Sequence, residues 1–172
     1  MSSPHASDRP AADGADLAVR PARDDDADGL IALVGGCFDE YPGCVLDLDG
    51  LDTDLKAIAS AVTAAGGAFW VAEAPDGRLA GSAGWVPVGG GIELKRLYID
   101  RRFRRRGLAT RLFDLVLAAA DKRGASHIEL WSDTRFAQAH AFYTAHGFTR
   151  QPDTRDLNDP SNSTEYQFVR HL

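Results

Sequence analysis

The sequence lacks any long apolar run. No stretch approaches the roughly eighteen consecutive apolar residues that mark a membrane-spanning helix. The first residues, among them Ser2, Pro4, Asp8 and Pro10, also lack the apolar centre of a signal peptide. These absences predict a cytoplasmic protein that has no membrane partner.

Cysteine is scarce as well, since the chain has only Cys37 and Cys44. In a reducing compartment both would be free thiols, and no accompanying His or Cys gives them the spacing of a zinc site. The acidic segment 47–54 also fails the calcium-loop pattern, because its sixth position is Asp52 where an EF-hand needs glycine. We therefore expect no disulfide and no metal, and we interpret Cys37 as a core residue.

An excess of positive charge is missing too. The chain has 19 Lys and Arg against 25 Asp and Glu, which gives a formal net charge of −6. Nucleic acids and membrane surfaces are polyanions that attract basic proteins, so this composition argues against a general binder of either. Any cationic function must therefore be local, and we expect no nucleic-acid partner.

The length of 172 residues, 44% of them apolar, suits one hydrophobic core. Residues 1–16 are rich in Ala, Asp and Pro and have almost no large apolar side chains, so burial cannot offset the entropy of ordering them. We expect a disordered tail over residues 1–16 and a single domain over residues 17–172.

Hydrophobic periodicity then indicates the order of the elements. Runs typical of strands cover residues 17–21, 68–73, 79–88, 92–99, 127–131 and 165–169, with a further short strand at Phe148. Helical spacing covers residues 24–38, 54–65, 107–123 and 137–146, and a polar loop is expected over residues 151–164. The order predicts an α/β (α+β) fold in which four helices flank a mixed, mostly antiparallel sheet of about seven strands.

The sharpest chemical signal is the run Arg-Arg-Arg-Gly-Leu-Ala at residues 104–109. It lies between a predicted strand that ends at Ile99 and the most clearly amphipathic helix. A helix N-terminus presents unpaired backbone N–H groups, Gly107 permits close approach, and arginines add charge-assisted bonds. We interpret the bend as an anion site suited to a pyrophosphate. The alternative, a basic patch for nucleic acid, explains neither the glycine nor the position of the run.

On these residues the chain resembles the Gcn5-related N-acetyltransferase (GNAT) family. That family's pyrophosphate signature is Gln or Arg, two residues, Gly, one residue, then Gly or Ala, and residues 104–109 satisfy it. The family's second block, a helix that ends in Tyr and precedes Gly-Phe, is matched by residues 141–148. The resemblance covers residues 17–170. It implies the acyl-CoA N-acyltransferase fold and transfer of an acetyl group from acetyl-CoA to a primary amine.

The resemblance also implies how acetyl-CoA binds. The strand that ends at Ile99 would part from strand 127–131 and admit the pantetheine arm, and an N–H near Ile99 would stabilise the oxyanion. The implied cofactor-binding residues are Leu97, Tyr98, Ile99, Arg104, Arg105, Arg106, Gly107, Leu108, Ala109, Thr110 and Phe142.

Two residues are candidates for proton transfer. The resemblance implies that Tyr143 protonates the departing CoA thiolate, although a tyrosine here could equally be a packing residue. An alkylamine costs about 4.6 kcal/mol to deprotonate at pH 7, so a base is needed. Glu93 is our candidate. The alternatives are a water relay and a surface glutamate paired with Lys95 or Arg96.

The acceptor amine is less well defined by the sequence. We expect Asp47 and Asp49 to attract it and Trp131 and Asp133 to line its site. The alternatives are an acidic loop that only caps a helix and a tryptophan of the core. The acceptor is either a small-molecule amine or a peptide amine, and the sequence leaves this choice open. It also leaves open whether the chain forms a homodimer. A non-catalytic acyl-CoA sensor on the same fold is the competing function.

Overall fold

The computed structural model describes residues 16–172, which fold around a single sheet. The strands are β1 (Ala18–Pro21), β2 (Ala68–Glu73), β3 (Leu79–Val88), β4 (Gly91–Ile99), β5 (His127–Asp133), β6 (Thr149–Asp156) and β7 (Thr164–His171). Their order across the sheet is β1-β2-β3-β4-β5-β7-β6, and only the β4–β5 pair of this described sheet is parallel. The expected tail over residues 1–16 lies, apart from Asp16, outside the described residues.

The described helices are α1 (Ala27–Phe38), α2 (Ile58–Ala64), α3 (Leu108–Arg123) and α4 (Ala137–Ala145). Short 3-10 turns cover Asp24–Asp26, Thr53–Ala57 and Arg101–Phe103. Seven strands in a mixed sheet with four α-helices confirm the predicted fold class.

Two predicted boundaries differ most from the observed ones. β6 occupies Thr149–Asp156, so the connecting loop is residues 157–163 and not 151–164. β6 is an edge strand that pairs only with β7, and its exposed polar residues and Pro152 are typical of such edges, which is why the sequence resembles a loop.

The second wrong boundary is the start of α2. The turn Thr53–Ala57 is a 3-10 helix, and the α-helix begins at Ile58. Asp52 and Asp54 both bond to the Arg96 guanidinium. Residues two positions apart do not share one face of an α-helix, so the regular helix starts only after this pair.

The hydrophobic core has two parts, one on each face of the sheet. On one face α3 and α4 pack through residues such as Leu112, Val116 and Tyr143. On the other face α1 and α2 pack through residues such as Val34 and Ile58. The sheet therefore lies between two helical layers, and its strands are held from both sides.

Both cysteines of the chain are free and buried. Burial raises the pKa of the Cys37 thiol to about 11, so this group stays protonated at neutral pH. Across residues 16–172, none of the helices combines the length and apolar character of a membrane span. In the same part of the chain, His, Cys, Asp and Glu do not gather in groups of three that could hold a metal.

Leu112→Ala tests the packing of α3 on the sheet. Leu112 is 0% exposed, and its truncation should lower the free energy of unfolding by about 2–5 kcal/mol because a cavity is left behind. Asp114→Ala on the exposed face of α3 is the control, with an expected change within about 0.5 kcal/mol. Urea unfolding followed by circular dichroism measures both, and equal midpoints would contradict this packing.

Candidate active site

A cleft opens where β4 and β5 separate. Along their described lengths the two strands pair at Ile92↔Ile128 and Glu93↔Glu129 and no further, although both continue for several residues. Past this point their facing backbone groups have no partner strand. The cleft has a volume of about 660 Å³ and is lined by residues of both strands, by the loop before α3 and by α4.

A bulge in β4 accompanies this separation. β3 pairs with β4 at Gly84↔Lys95 and at Ser82↔Tyr98. One residue of β3 therefore faces two residues of β4, Arg96 and Leu97. Arg96 has φ 55°, in the left-handed region that few residues other than glycine adopt. Such a bulge bends a strand and redirects its backbone groups, and here it lies beside the cleft.

The backbone of Ile99 faces the cleft. In an antiparallel strand successive amides point to opposite edges, and the next amide, Asp100 N, donates to Ala80 O of β3 at 2.9 Å. The Ile99 carbonyl correspondingly accepts from Arg104 Nε at 2.9 Å on the side away from β3. The Ile99 N–H therefore points toward the gap that β5 has left. This is the orientation that an oxyanion donor needs.

The loop before α3 presents backbone donors. Arg105 and Gly107 have φ of 60° and 76°, and α3 begins immediately afterwards. The first bond inside the helix joins Arg111 N to Gly107 O at 2.9 Å. The N–H groups of Leu108, Ala109 and Thr110 precede it and so have no acceptor within α3. Together with the helix dipole, these groups form a site suited to an anion.

Arg104 lines the cleft, and its guanidinium bonds to two groups of the protein. Its Nη1 and Nη2 atoms bond to the two carboxylate oxygens of Glu40 at 2.7 and 2.6 Å. Its Nε donates to Ile99 O, as described above. Glu40 therefore neutralises Arg104, which ties the segment after α1 to the end of β4. Arg105 lines the cleft, whereas Arg106 is not among the lining residues.

α4 brings Phe142 and Tyr143 into the cleft wall. Tyr143 is 7% exposed and packs against Phe148 and Phe168. Burial raises the pKa of Tyr143 above its ordinary value, because the charged phenolate would lose its hydration. The phenol therefore stays protonated at physiological pH and can act as a proton donor.

His146 does not line the cleft itself, but it contacts two residues that do, and these contacts were not predicted. His146 stacks on Phe142 with ring centroids 3.9 Å apart, and its Nε2 lies 3.2 Å from Thr110 Oγ1. It thereby connects the end of α4 to the first turn of α3. Its position directly before Gly147, inside the block at residues 141–148, was the available signal. His140 packs against Tyr166 and Phe168 and is likewise not among the lining residues.

Comparison with known proteins identifies the family. Residues 36–148 match the sequence profile of the Acetyltransferase (GNAT) family. This chain belongs to that family. Human N-acetyltransferase 8 is 33% identical over 107 residues, which cover 58% of this chain and 47% of that protein. The chain thus spans about half the length of this relative.

Solved structures share the fold. An acetyltransferase of the GNAT family from Staphylococcus aureus Mu50 has a TM-score of 0.78 and 20% identity, with 91% of this chain and 99% of that chain covered. The PaiA N-acetyltransferase from Thermoplasma acidophilum, solved in complex with coenzyme A, has a TM-score of 0.69 and 16% identity over 91% and 99%. The predicted family and fold are confirmed.

The cleft is also lined by charged side chains, most of which form ion pairs with other residues of the chain. Glu93 lies 3.2 Å from Lys95 Nζ. Asp133 is buried and accepts from Arg135 Nε and Nη2 at 2.9 and 2.8 Å. Trp131 lies beneath the Arg155 guanidinium, which is 4.3 Å from the ring centre. The charged residues of the cleft lining are Asp52, Asp54, Glu93, Asp133, Asp159 and Glu165, together with Lys95, Arg96, Arg104, Arg105 and Arg155.

The two carboxylates of the acidic segment that were predicted for the acceptor site do not line the cleft. Asp47 and Asp49 are absent from the cleft lining, whereas Asp52 and Asp54 of the same acidic segment belong to it. Asp49 points to solvent, with a side chain 98% exposed beside Lys56. The segment turns at residues 47–52, where Gly50 N and Asp52 N both bond to Asp47 O, and this turn directs the later pair inward.

An aromatic wall also lines the cleft, and of its residues only Tyr98 was predicted for the site. It consists of Phe38, Tyr41, Tyr98 and Phe136, all of which line the cleft. Ring centroids are 5.9 Å apart for Phe38 and Tyr98 and 4.8 Å apart for Tyr41 and Phe136. The residues come from distant parts of the chain, so no local pattern could have joined them.

Gly107→Ala tests the anion site. A Cβ at this residue meets nothing within 4 Å, so alanine either places a methyl group in the open space or relaxes φ and moves the amides. We expect the affinity for CoA in calorimetry to fall about tenfold.

Gly124→Ala is the matched control, since Gly124 has φ 62°, equally open space and a position at the other end of α3. Both variants should lose about 1–2 kcal/mol of stability, but only Gly107→Ala should lose CoA affinity. Equal affinities for CoA would contradict the site.

Proposed function

We propose that this GNAT chain is an N-acetyltransferase that moves an acetyl group from acetyl-CoA to a primary amine, with residues 17–172 acting as one catalytic domain. The observation that carries the proposal is the alignment of three features along one cleft. They are the parted strands β4 and β5, the Ile99 N–H that faces the gap, and the unpaired amides that begin α3. The coenzyme A complex of the PaiA relative supports the same cosubstrate.

The cleft fits acetyl-CoA in its chemistry. The N–H groups of Leu108, Ala109 and Thr110 would hold the pyrophosphate, with Arg105 nearby as a cation. The edges of β4 and β5 would hold the pantetheine arm, whose amides pair naturally with free strand groups. Phe142 and Leu97 supply apolar surface along the way. This leaves the thioester at the mouth of the gap, beside Ile99.

The reaction we propose is direct attack within a ternary complex. The amine nitrogen attacks the thioester carbonyl carbon, so that a C–N bond forms and the electron pair of the C=O bond moves to oxygen. The Ile99 N–H stabilises this oxyanion, a contact that in other enzymes contributes about 3–4 kcal/mol. When the carbonyl re-forms, the C–S bond breaks, and the Tyr143 phenol protonates the thiolate. The nitrogen loses its extra proton to a base.

Glu93 is our candidate for that base. It lies on β4 at the last residue that still pairs with β5, and it lines the cleft. The ion pair with Lys95 orients the carboxylate without using both of its oxygens, since only Oε1 is bonded to the Lys95 ammonium. A water relay from Glu93 would serve the same purpose.

Tyr143→Phe tests the proton donor. We expect kcat to fall by about 100-fold while the affinity for acetyl-CoA is retained, because only the hydroxyl that protonates the thiolate is lost. The release of the CoA thiol with a panel of primary amines measures kcat, and calorimetry measures the affinity for acetyl-CoA. Tyr166→Phe is the control, since Tyr166 packs on His140 outside the cleft lining. An unchanged kcat in Tyr143→Phe would contradict the role of Tyr143 as the proton donor.

Glu93→Gln tests the base. The amide keeps the shape of the side chain but accepts no proton, so kcat/KM for the amine should fall about tenfold or more at pH 7. The loss should shrink at higher pH, where more of the amine is already deprotonated. A loss that is constant across pH would assign Glu93 to binding alone.

The pH profile follows from the raised pKa of Tyr143. The protonated phenol is the active form, and its pKa lies above the ordinary value of about 10, so activity should not decline with pH below that value. We expect kcat/KM to rise from about pH 6 as the amine loses its proton and then to level off. A decline between about pH 7 and pH 9 that disappears in Tyr143→Phe would contradict the assignment.

A further inference from the structure

Arg96 occupies the bulge of β4 in a conformation that few side chains favour. Its φ of 55° is easy for glycine and tolerable for asparagine, but it is unfavourable for arginine. Its carbonyl accepts from Ser82 Oγ at 2.7 Å, which fixes the bulge from the β3 side. A long side chain at such a residue indicates that its contacts outweigh the backbone cost.

Those contacts all reach the acidic segment between α1 and α2. Arg96 Nη1 bonds to Asp52 Oδ1 at 2.8 Å, and Nη2 and Nε bond to the two oxygens of Asp54 at 2.5 and 3.2 Å. Nη2 also donates to the Leu51 carbonyl at 3.3 Å. The Arg96 side chain is 13% exposed, so these ion pairs are shielded from solvent. With every guanidinium nitrogen engaged, Arg96 is poorly suited to bind an anionic ligand as well.

Asp52 organises the segment at the other end of this contact. Its Oδ2 accepts from Asp47 N at 2.8 Å, and Asp52 N donates back to Asp47 O at 2.9 Å. Thr53 Oγ1 donates to Leu48 O at 2.8 Å and tightens the same turn. Asp52 is 7% exposed, so its charge depends on Arg96 for compensation.

This arrangement holds Leu51 at the cleft. Leu51 is 51% exposed and lines the cleft, and its own carbonyl is one of the Arg96 acceptors. Val45 is 48% exposed in the same connection but is not a lining residue. Residues 51–54 contribute Leu51, Asp52 and Asp54 to the cleft lining. Arg96 neutralises the two carboxylates, so Leu51 offers an apolar side chain beside them.

We propose that Arg96 is a positioning residue that fixes residues 51–54 as a wall of the acceptor site, and that Leu51 is the part of this wall that contacts the acceptor. The proposal rests on the proposed acetyltransfer and extends it to the acceptor. The chemistry implied is a primary amine with an apolar portion next to the amino group, since the wall offers an alkyl surface and no free cation for a carboxylate. Arg96 acts through the segment and does not touch the reacting atoms.

Arg96→Asn removes the guanidinium and keeps a residue that tolerates positive φ, so the bulge itself is preserved. We expect KM for the amine to rise about tenfold or more, because the wall is no longer held in place. The dissociation constant of CoA and kcat at saturating amine should be unchanged within about twofold, since the pyrophosphate site and the Ile99 amide do not involve Arg96. Arg96→Lys keeps one ion pair and should give an intermediate KM.

Arg96→Asn leaves the buried charge of Asp52 without its partner, and this loss destabilises the folded protein. The double variant Asp52→Asn, Arg96→Asn removes both charges and should fold while retaining the raised amine KM. Thermal unfolding is measured for each variant beforehand. A folded double variant with the KM of the unmodified chain for the amine would overturn the positioning role, as would equal increases in the CoA and amine constants.

Leu51→Ala tests the contact, with Val45→Ala as the matched control. The two residues are about equally exposed, so both variants should fold alike. For the best amine of the panel, KM should rise about fivefold with Leu51→Ala and stay unchanged with Val45→Ala. A homologous series of alkylamines should show a chain-length preference that Leu51→Ala flattens. Equal behaviour of the two variants would overturn the contact.

Hydrogen exchange separates a failure of this inference from a failure of the proposed function. In Arg96→Asn the amides of residues 47–54 should exchange faster, while those of α3 keep their protection. If the unmodified chain released no CoA with any amine, both the proposed acetyltransfer and the proposed acceptor wall would be contradicted. Hydrogen exchange would still test whether Arg96 holds residues 47–54 in place. If the unmodified chain did release CoA and Arg96→Asn changed neither KM nor exchange, only this inference would fall.

Discussion

The separation of β4 from β5 after Glu93 and Glu129 is the constraint on which the rest of the structure depends. A strand edge without its neighbour leaves backbone donors unpaired, and each such group costs about 1–3 kcal/mol when it is buried without a partner. In this chain the open edge lines a cleft in which a ligand can supply the missing partners. The bulge at Arg96 accompanies the separation, and Arg104 connects Glu40 to the end of β4 through the Ile99 carbonyl.

The family and the order of the elements could be predicted from the sequence because their signals are local. The run at residues 104–109 combines a glycine, a small residue and the start of an amphipathic helix within six positions. The block at residues 141–148 is equally short. The run indicates an anion site because a strand is predicted before it and a helix after it. The fold has the same arrangement, with β4 before the run and α3 after it.

The parts that could not be predicted depend on contacts between distant residues. Arg96 meets Asp52 and Asp54 across 44 and 42 positions, and Arg104 meets Glu40 across 64. Periodicity carries no information about such pairs, so these ion pairs could not be predicted. For the same reason Asp47 and Asp49 were predicted for the acceptor site, whereas Asp52 and Asp54 are the carboxylates of that segment that line the cleft. The extent of β6 was predicted wrongly because an edge strand that is exposed and polar has the composition of a loop.

The most direct test of the account is a crystal structure of the chain with bound CoA. We predict that the pyrophosphate oxygens accept hydrogen bonds from the amides of Leu108, Ala109 and Thr110, at about 2.7–3.2 Å. The pantetheine arm should lie between β4 and β5, with its sulfur beside Ile99 and Tyr143. CoA bound elsewhere on the molecule, or pantetheine outside the gap between the two strands, would contradict the central claim.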